Sequence, residues 1–542
     1  MTLPSSLQWL SLVGIIWLQT VNGPNSDFAV YSSQLKHVLS ISQVQLNNLA
    51  FASDAGKLLG WFSGIAAVYL PLRSVLLVGA SLGLFGYGVQ YLFLANILTS
   101  ISYWQVFLLT ALAGNGICWI NTVCYLVCIR NFPSDSRVAV GLSTSYVALS
   151  ARVYTAAVDV FFDVEPGRKA KAYLLLNAAI PMLVAATTFP LLRVAETGGA
   201  GTRHGSREFL GMIVITSATG VCAVAGSIGS GGLWEVSHIV SLGTLLLAPL
   251  LVPVVVAFRD GMEERTTSMK QRKVHVDKVD TELAEEKEVP FEVLWSSERK
   301  EKEEEEVGVL ARGEGKGEVG FGVMMRTANF WLYFFTYMFG STVGLVFLNN
   351  LGQIAESLGL AKTSTLVSLA SSFGFFGRLV PSLMDYFFSK NGYMVSGPAF
   401  MTIIMTPMTG AFFLLLHSDT HFLHVGTAII GACSGAIASV AVSTTPELFG
   451  AKNFAVNHNV VVTNIPIGSF LFGYLAAFLY QREAGGSESC MGPGCYHNTF
   501  VIWGSICAFG TLLSFILYFR TKMFTAEETC NNLNTHELSV VV

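Results

Sequence analysis

The stretch from Val236 to Ala257 reads VSHIVSLGTLLLAPLLVPVVVA and contains no Asp, Glu, Lys or Arg. A bilayer core needs about 20 apolar residues per helix, because no backbone polar group can stay unpaired in hydrocarbon. This stretch is therefore predicted to cross a membrane as one α-helix. Dense charge begins directly after it, at Arg259, so the stretch also ends an apolar part of the chain.

The whole chain shares this apolar character. It has 542 residues, of which 52% are hydrophobic and 13% are charged, whereas a soluble protein carries about 25% charged residues. A single aqueous core could not bury so much apolar surface. The composition predicts an integral, multi-pass membrane protein surrounded mainly by lipid.

Apolar stretches of spanning length recur along the chain and predict an all-α protein with about fourteen transmembrane helices. Their order is six, two, a charged connector and six. The predicted spans are Trp9–Val30, Val44–Leu70, Ser74–Ala95, Trp104–Cys128, Val138–Phe161, Ala172–Leu192, Phe209–Ile228, Val236–Ala257, Asn329–Leu348, Thr363–Phe388, Gly397–His417, Phe422–Val442, Phe454–Tyr480 and Thr499–Phe519.

This order predicts five units. They are an N-terminal six-helix bundle (1–194), two additional central spans (195–257), a charged cytoplasmic connector (258–327), a C-terminal six-helix bundle (328–520) and a cytoplasmic tail (521–542). From Arg259 to Arg326 the chain holds 13 basic and 18 acidic residues, a composition typical of a disordered tether. No basic stripe suits nucleic acid.

The short loops indicate the orientation. With the N-terminus inside, eleven Lys and Arg residues fall on the inner side and six on the outer side. The positive-inside rule then places both termini in the cytoplasm. The membrane itself, plasma membrane or vacuolar and other endomembrane, is left open by the sequence.

Particular segments resemble one known family. They are Trp17, Gln19, Asn25-Ser26-Asp27-Phe28, Tyr31-Ser32-Ser33, Ile41 to Asn47, Ser53 to Lys57, Gly86-Tyr87-Gly88, Asn121-Thr122, Arg130-Asn131-Phe132-Pro133, Phe373 to Leu379, Pro381 to Asp385, Glu447 to Gly450, Lys452-Asn453-Phe454 and Asn457-His458-Asn459. In these segments the chain resembles the plant nodulin-like transporters, including the nuclear-fusion-defective type, of the major facilitator superfamily. The resemblance implies the major facilitator fold, two six-helix bundles around a central site. Family members often have a lysine in the stretch where this chain has Ser143-Thr144-Ser145. If that lysine binds an anion in the relatives, a different substrate is expected for this chain.

Two features near the first helices are candidates for the substrate or ion pathway. Gly23 and Pro24 interrupt span 1 next to Asn25 and Asp27, and broken helices often mark substrate or ion sites. The alternative is that the helix ends near Val21 and an outer loop follows.

Asp54 and Lys57, three residues apart on span 2, lie on neighbouring helical positions. They can pair and face a wet cavity, or they can form a structural ion pair between helices.

Other polar residues within the spans extend this pathway. Arg152 on span 5 is a candidate contact for an anionic substrate, with Asp159 as its partner on the same face or, alternatively, in the headgroup layer. By resemblance, five neutral polar groups are expected to line the cavity: Asn115, Asn121, Asn457, Asn459 and Asn464. Interhelical hydrogen bonding is the alternative for each asparagine.

His458 belongs to the same set by resemblance, and its imidazole could exchange a proton near neutral pH.

The resemblance also implies a gate. Arg378 and Asp385 are expected to lock the inner gate without touching substrate, and Glu447 and Arg130 are their expected partners in matching inner loops.

Cys490 and Cys495 fall in an outer loop, where oxidising conditions permit a disulfide. No metal site and no cofactor are predicted.

The function predicted is secondary transport of a small solute by alternating access. Walker, GxSxG and HExxH motifs are absent, so an enzyme is not expected and a solute or ion gradient must supply the energy. Similarity to the anion-carrying branches of the superfamily implies a small organic anion as the leading substrate. Uniport and proton coupling through Asp27, Asp54 or His458 both fit the sequence. The alternative is a non-transporting sensor or scaffold that signals through the connector. We expect a monomer in the bilayer.

Overall fold

The structure, a computed structural model, describes residues 5–24, 28, 35, 38–162, 166–194, 206–228, 232–262, 265–266, 319–360, 363–389, 395–417, 419–485 and 490–540. Within these residues there are helices and no strand, which confirms the all-α prediction. Asn25, Asp27 and most of the connector lie outside the described residues, as does the side chain of Asp159.

Eight long helices precede the connector, three of them interrupted by a 3-10 turn. They are α1 (Ser5–Val21), α2 (Gln43–Gly56, a 3-10 turn Lys57–Leu59 and Trp61–Tyr69), α3 (Leu72–Leu94), α4 (Tyr103–Asn131), α5 (Ser136–Ser145, a 3-10 turn Tyr146–Leu149 and Ser150–Phe161), α6 (Pro166–Thr188), α7 (Ser206–Ile228) and α8 (Gly232–Leu247, a 3-10 turn Ala248–Leu250 and residues 251–262).

Six long helices follow the connector, after a single turn at Phe321–Met324. They are α9 (Ala328–Tyr337, a π-helical turn Met338–Thr342 and Val343–Ser357), α10 (Thr363–Ser389), α11 (Gly397–Leu414), α12 (Thr420–Phe449), α13 (Phe454–Val462 and Asn464–Ala484) and α14 (Gly494–Val540).

Eleven of the described helices are long and apolar enough to cross a membrane by length and composition. The other three predicted spans correspond to α1, which has 17 residues, and to the interrupted helices α2 and α5. Several helix ends follow local sequence chemistry. Ser42 and Ser102 each form a capping box with the glutamine three residues later, which starts α2 and α4. Gly450, at φ 84°, ends α12.

The helices pack as two bundles joined along two seams. In the first bundle (α1–α6), α3 packs on α4 and α6; in the second (α9–α14), α12 packs on α10 and α11, and α11 on α14. Between the bundles, α5 packs on α10 and α2 on α13. Both seams depend on glycine: a side chain at Gly64 would collide with the Ala455 backbone, and one at Gly141 with Ser382. The helix pair α7–α8 lies against α5 and α10.

Candidate functional site: a central cavity between the bundles

A cavity of about 270 Å³ lies between the two bundles. Side chains from both bundles face it, and several are polar. The polar and aromatic lining residues are Asn22, Lys57, Asn121, Thr122, Tyr125, Tyr337, Ser341, Ser371, Arg378, Ser434, Phe454, His458 and Asn459. A site shared by two bundles changes shape when one bundle moves against the other, which is what alternating access requires.

Interrupted helices surround the cavity. The 3-10 turns of α2 and α5, the π-helical turn of α9 and the break of α13 at Thr463 all occur beside lining residues, among them Lys57, Val147, Ser341 and Val462. Turns of this kind place backbone groups and side chains off the regular helical path and are frequent at functional sites. The sequence analysis found only the interruption after span 1. The breaks of α2, α5 and α9 contain no proline, so neither proline nor hydropathy marks them in the sequence. The break of α13 precedes Pro466, whose missing N–H leaves the Val462 carbonyl without its helical partner, so a signal for this break was present in the sequence.

Asp54 and Lys57 form an ion pair at the cavity wall. Lys57 Nζ lies 2.6 Å from Asp54 Oδ1, and Asp54 is 3% exposed. The second carboxylate oxygen, Oδ2, accepts a hydrogen bond of 3.0 Å from Ser469 Oγ on α13. Asp54 therefore pairs with a lysine of its own helix and with a hydroxyl of the opposite bundle. Lys57 lines the cavity, so the pair lies at the cavity wall and also contacts the second bundle through Ser469.

Arg378 also lines the cavity, and its charge is not compensated there. Its Nη1 donates a long hydrogen bond of 3.5 Å to the Thr144 carbonyl, while its buried Nε has no partner in the part of the chain that the structure describes. Among the described lining residues there is no Asp or Glu. Arg378 thus faces the central cavity and also contacts α5 across the seam, so the expectation that it locks the gate without touching substrate stays a prediction.

Hydrogen bonds between amides and hydroxyls join the helices around the cavity. Asn22 Nδ2 donates to Asn121 Oδ1 at 2.9 Å within the first bundle. Asn459 Nδ2 donates to Thr122 Oγ1 at 2.8 Å, from the second bundle to the first. Asn459 was among the residues expected by resemblance to line the cavity. Asn22 was not, although it adjoins the predicted interruption at Gly23 and Pro24.

His458 lines the cavity, and three neighbouring side chains contact its ring. Its Nδ1 lies 3.0 Å from Thr445 Oγ1, and the ring stacks on Phe454 with centroids 5.1 Å apart. Tyr125 meets the ring edge-on at 5.6 Å.

Three other predicted pathway residues lie away from the cavity. Asn464 is fully buried and accepts a hydrogen bond of 3.1 Å from Thr342, so it joins α9 to α13. Asn115 lines a separate apolar groove of about 610 Å³ between α2, α3 and α4. Arg152 donates to the Gly226 carbonyl of α7, because the helix pair α7–α8 packs on this part of α5. The prediction that Arg152 lines the substrate pathway is therefore not supported by its position.

A charge cluster closes one end of the bundles, which we call the Arg137 end. Arg137 Nη2 lies 2.6 Å from Glu447 Oε2, and Arg137 Nη1 lies 3.6 Å from Asp385 Oδ1. Glu447 also accepts from the Gly397 amide at 3.0 Å, and Arg137 donates to the Val395 carbonyl at 2.8 Å. One arginine of the first bundle thus holds three elements of the second.

Of the four predicted gate residues, Asp385 and Glu447 lie in this cluster. Arg130 is exposed and has no hydrogen bond or ion pair with any residue that the structure describes. The cation of the cluster is Arg137, in the first turn of α5, the helix that packs on α10. Arg130 lies at the end of α4 and faces outward.

Far from this cluster, Cys490 and Cys495 are joined by a disulfide just before α14. Tyr480 Oη accepts a hydrogen bond of 3.0 Å from the Cys490 amide, and the Gly492 amide donates to the Ser357 carbonyl at 2.7 Å. The disulfide loop thus connects α9, α13 and α14.

Comparison with known families accounts for almost the whole chain. Residues 8–258 match the family described as Nodulin-like, and residues 315–526 match the family described as NFD4, C-terminal domain. The protein NUCLEAR FUSION DEFECTIVE 4 of Arabidopsis thaliana is 39% identical over 535 residues, covering 95% of this chain and 89% of that protein. The probable transporter MCH1 of Yarrowia lipolytica is 26% identical over 207 residues, 35% of this chain and 41% of that one.

A solved structure shows the same fold. The major facilitator superfamily proton:xylose symporter XylE superimposes with a TM-score of 0.56 and 10% identity, covering 94% of this chain and 95% of that one. At this identity the likeness concerns the fold alone. It supports two bundles around a central cavity, as the sequence resemblance implied.

Proposed function

Because this chain belongs to the nodulin-like family and has the major facilitator fold of secondary transporters, we propose that it moves a small organic anion by alternating access, with Arg378 holding the anion. The observation that carries the proposal is the uncompensated guanidinium of Arg378 in the central cavity. The ammonium of Lys57, the other strong cation there, is already paired with Asp54.

Electrostatics favours an anion over a neutral or cationic solute. An ionised group at membrane depth costs several kcal/mol unless it is paired or hydrated. A carboxylate entering the cavity would supply the missing counter-charge, and a guanidinium can grip it through two parallel N–H bonds. A cation would add to the positive charge of Arg378 and Lys57.

The contacts between the bundles support the alternating motion. The Arg137 end is closed by the Arg137–Glu447 pair and by the close approach of Gly64 and Gly141 to the opposite bundle. Solute release at this end would require these contacts to separate while the bundles stay intact. We place the Arg137 end in the cytoplasm and count fourteen spans, as the basic loops and apolar stretches predict.

Proton coupling is the second element of the proposal, and Asp54 is its candidate site. Its carboxylate is shared between Lys57 and Ser469, so it belongs to both bundles at once. Separation of α2 from α13 would remove the Ser469 hydrogen bond, so the surroundings of the Asp54 carboxylate change with the conformation of the protein. Uniport requires no such change.

Flux into proteoliposomes tests the anion proposal. A panel of small carboxylates, neutral sugars and organic cations is offered at two pH values to the wild-type protein and to Arg378→Gln and Arg378→Lys. Losing a charge-assisted hydrogen bond costs about 1.5–3 kcal/mol, so carboxylate uptake by Arg378→Gln should fall roughly tenfold to a hundredfold. Arg378→Lys keeps the charge without the planar fork and should lose less.

Arg152→Gln is the matched control, because it removes an intramembrane arginine that does not line the cavity. Thermal unfolding of every variant separates lost binding from lost folding. Uptake of a neutral solute that survives Arg378→Gln would refute the anion proposal. Carboxylate binding without flux would favour the sensor. Carboxylate flux that is independent of pH would remove proton coupling and leave uniport.

A further inference from the structure

We propose that α7 is a strap across the seam between α5 and α10, and that it holds the Arg137 end of the transport cavity closed. The strap regulates the cavity to which we assign transport, so its role in transport rests on the proposed function. Its effect on conformation does not, because opening of the Arg137 end can be measured without substrate.

At its first turns α7 is anchored to the first bundle. The Phe209 ring packs against Trp9 of α1, with centroids 4.7 Å apart, and against Phe132 just after α4, at 5.5 Å. Phe209, Trp9 and Phe132 are all at most 1% exposed. Two turns further along, Thr216 Oγ1 lies 3.1 Å from the hydroxyl of Tyr146, in the 3-10 turn of α5.

At Gly220, one turn after Thr216, α7 contacts the second bundle. A Cβ built at Gly220 would lie 2.7 Å from Cδ1 of Phe375 and 3.0 Å from Cζ of Phe376, both on α10. Such distances leave no room for a side chain, so the helix backbone rests directly on the two rings. Across the seam itself, the Tyr146 and Phe375 rings meet edge to face at 6.1 Å.

These contacts make α7 a bridge between elements that must move apart. If the bundles rock and α5 separates from α10, α7 can follow Tyr146 or Phe375, but not both. Opening therefore breaks one set of buried contacts that exists only in the closed arrangement. Contacts made in only one of two states shift the equilibrium toward that state.

The strap is also joined to the connector. His238 Nε2 of α8 lies 2.8 Å from the Cys222 carbonyl of α7, and the Trp17 indole donates to the Leu246 carbonyl of α8 at 2.8 Å. The helix α8 then leads along the chain into the charged connector. A partner or modification that acts on the connector thus acts on a helix pair attached to the seam.

The experiment compares two substitutions of the same kind on one helix. Gly220→Leu places a side chain against Phe375 and Phe376. Gly211→Leu is the control, since a Cβ there meets only Val252 at an ordinary 3.9 Å. The reporter is Thr144→Cys in the full-length protein, because Thr144 is 1% exposed and its hydroxyl lies 3.3 Å from Ser439 of α12. The rate at which a water-soluble maleimide labels this cysteine then measures opening. Each variant is also labelled without the reporter, and that background from the native cysteines is subtracted.

We expect the reporter cysteine to be labelled about tenfold faster in Gly220→Leu than in the parent, the protein that carries only Thr144→Cys. The reason is that forcing a side chain into a packed contact disfavours the closed state. Gly211→Leu should label at the parent rate. Thr216→Val is a nearly isosteric change that removes the Tyr146 hydrogen bond, and it should be labelled a few-fold faster than the parent. If Gly220→Leu does not fold, Thr216→Val tests the strap alone.

Labelling at the parent rate in both Gly220→Leu and Thr216→Val would overturn the strap. Equal acceleration by Gly211→Leu would do the same, since it would reflect general loosening of α7. The labelling rates are measured without substrate, and the flux of Arg378→Gln is measured on a separate variant. Failure of the anion proposal and failure of the strap are therefore distinguishable.

Discussion

Replacing Glu447 with glutamine should open the Arg137 end of the protein. The substitution keeps the shape of the side chain and removes the charge that lies 2.6 Å from Arg137 Nη2. Because Glu447 also accepts from the Gly397 amide at 3.0 Å, the change weakens two contacts. The closed arrangement should therefore lose stability relative to any arrangement in which the two bundles have separated.

The geometry sets the magnitude. The side chains of Arg137 and Glu447 are 20% and 16% exposed, so solvent screens the pair only in part. A hydrogen bond to a charged group in such a setting contributes about 1.5–3 kcal/mol, whereas fully exposed pairs contribute about 0.2–1 kcal/mol. We take about 2 kcal/mol, which shifts the balance between closed and open arrangements roughly thirtyfold. Asp385→Asn should have a smaller effect, because its carboxylate is 3.6 Å from Arg137.

Hydrogen exchange of the backbone amides in Ser136–Ser145, the first segment of α5, reports the opening. Exchange should accelerate in Glu447→Gln and in Arg137→Gln, and the double variant should be no faster than the faster single variant. The charge swap Arg137→Glu with Glu447→Arg should recover part of the protection. Independent, additive effects of the two single substitutions would refute a direct pair as the lock.

Three further predictions concern stability, measured by thermal or denaturant unfolding in detergent. Asp54→Asn should lower the free energy of unfolding by about 3 kcal/mol, because Lys57 loses its counter-charge. Adding Lys57→Gln should recover part of this loss, and no recovery would contradict the pairing. Asn459→Ala should cost about 0.6–1.7 kcal/mol, the range for a hydrogen bond between membrane helices, and a loss far outside it would point to a different role. Replacing both Cys490 and Cys495 with serine should cost about 2 kcal/mol through the short loop that they close, with the reduced wild-type protein behaving alike.

The sequence alone indicated that lipid surrounds most of the chain and where the long apolar helices lie. Hydropathy is summed over neighbouring residues, so a stretch such as Leu72–Leu94 is recognised as a membrane span without knowledge of the helices that pack on it. The charged connector and the grouping of helices around it were visible for the same reason. So was the i, i+3 pair of Asp54 and Lys57, since both residues lie on one helix. The family resemblance added the fold, which spacing by itself could not supply.

The tertiary structure decided which polar side chains face the cavity and which face other helices. Arg378 and Asp385 lie seven residues apart on one face of α10, but this spacing also separates them by about 10 Å along the helix axis. The packing of α5 and α12 on α10 places Arg378 at the cavity and Asp385 at the Arg137 end. Likewise, α7–α8 covers the part of α5 that carries Arg152. A side chain's direction from its own helix is local information, whereas what it meets there depends on helices distant in sequence.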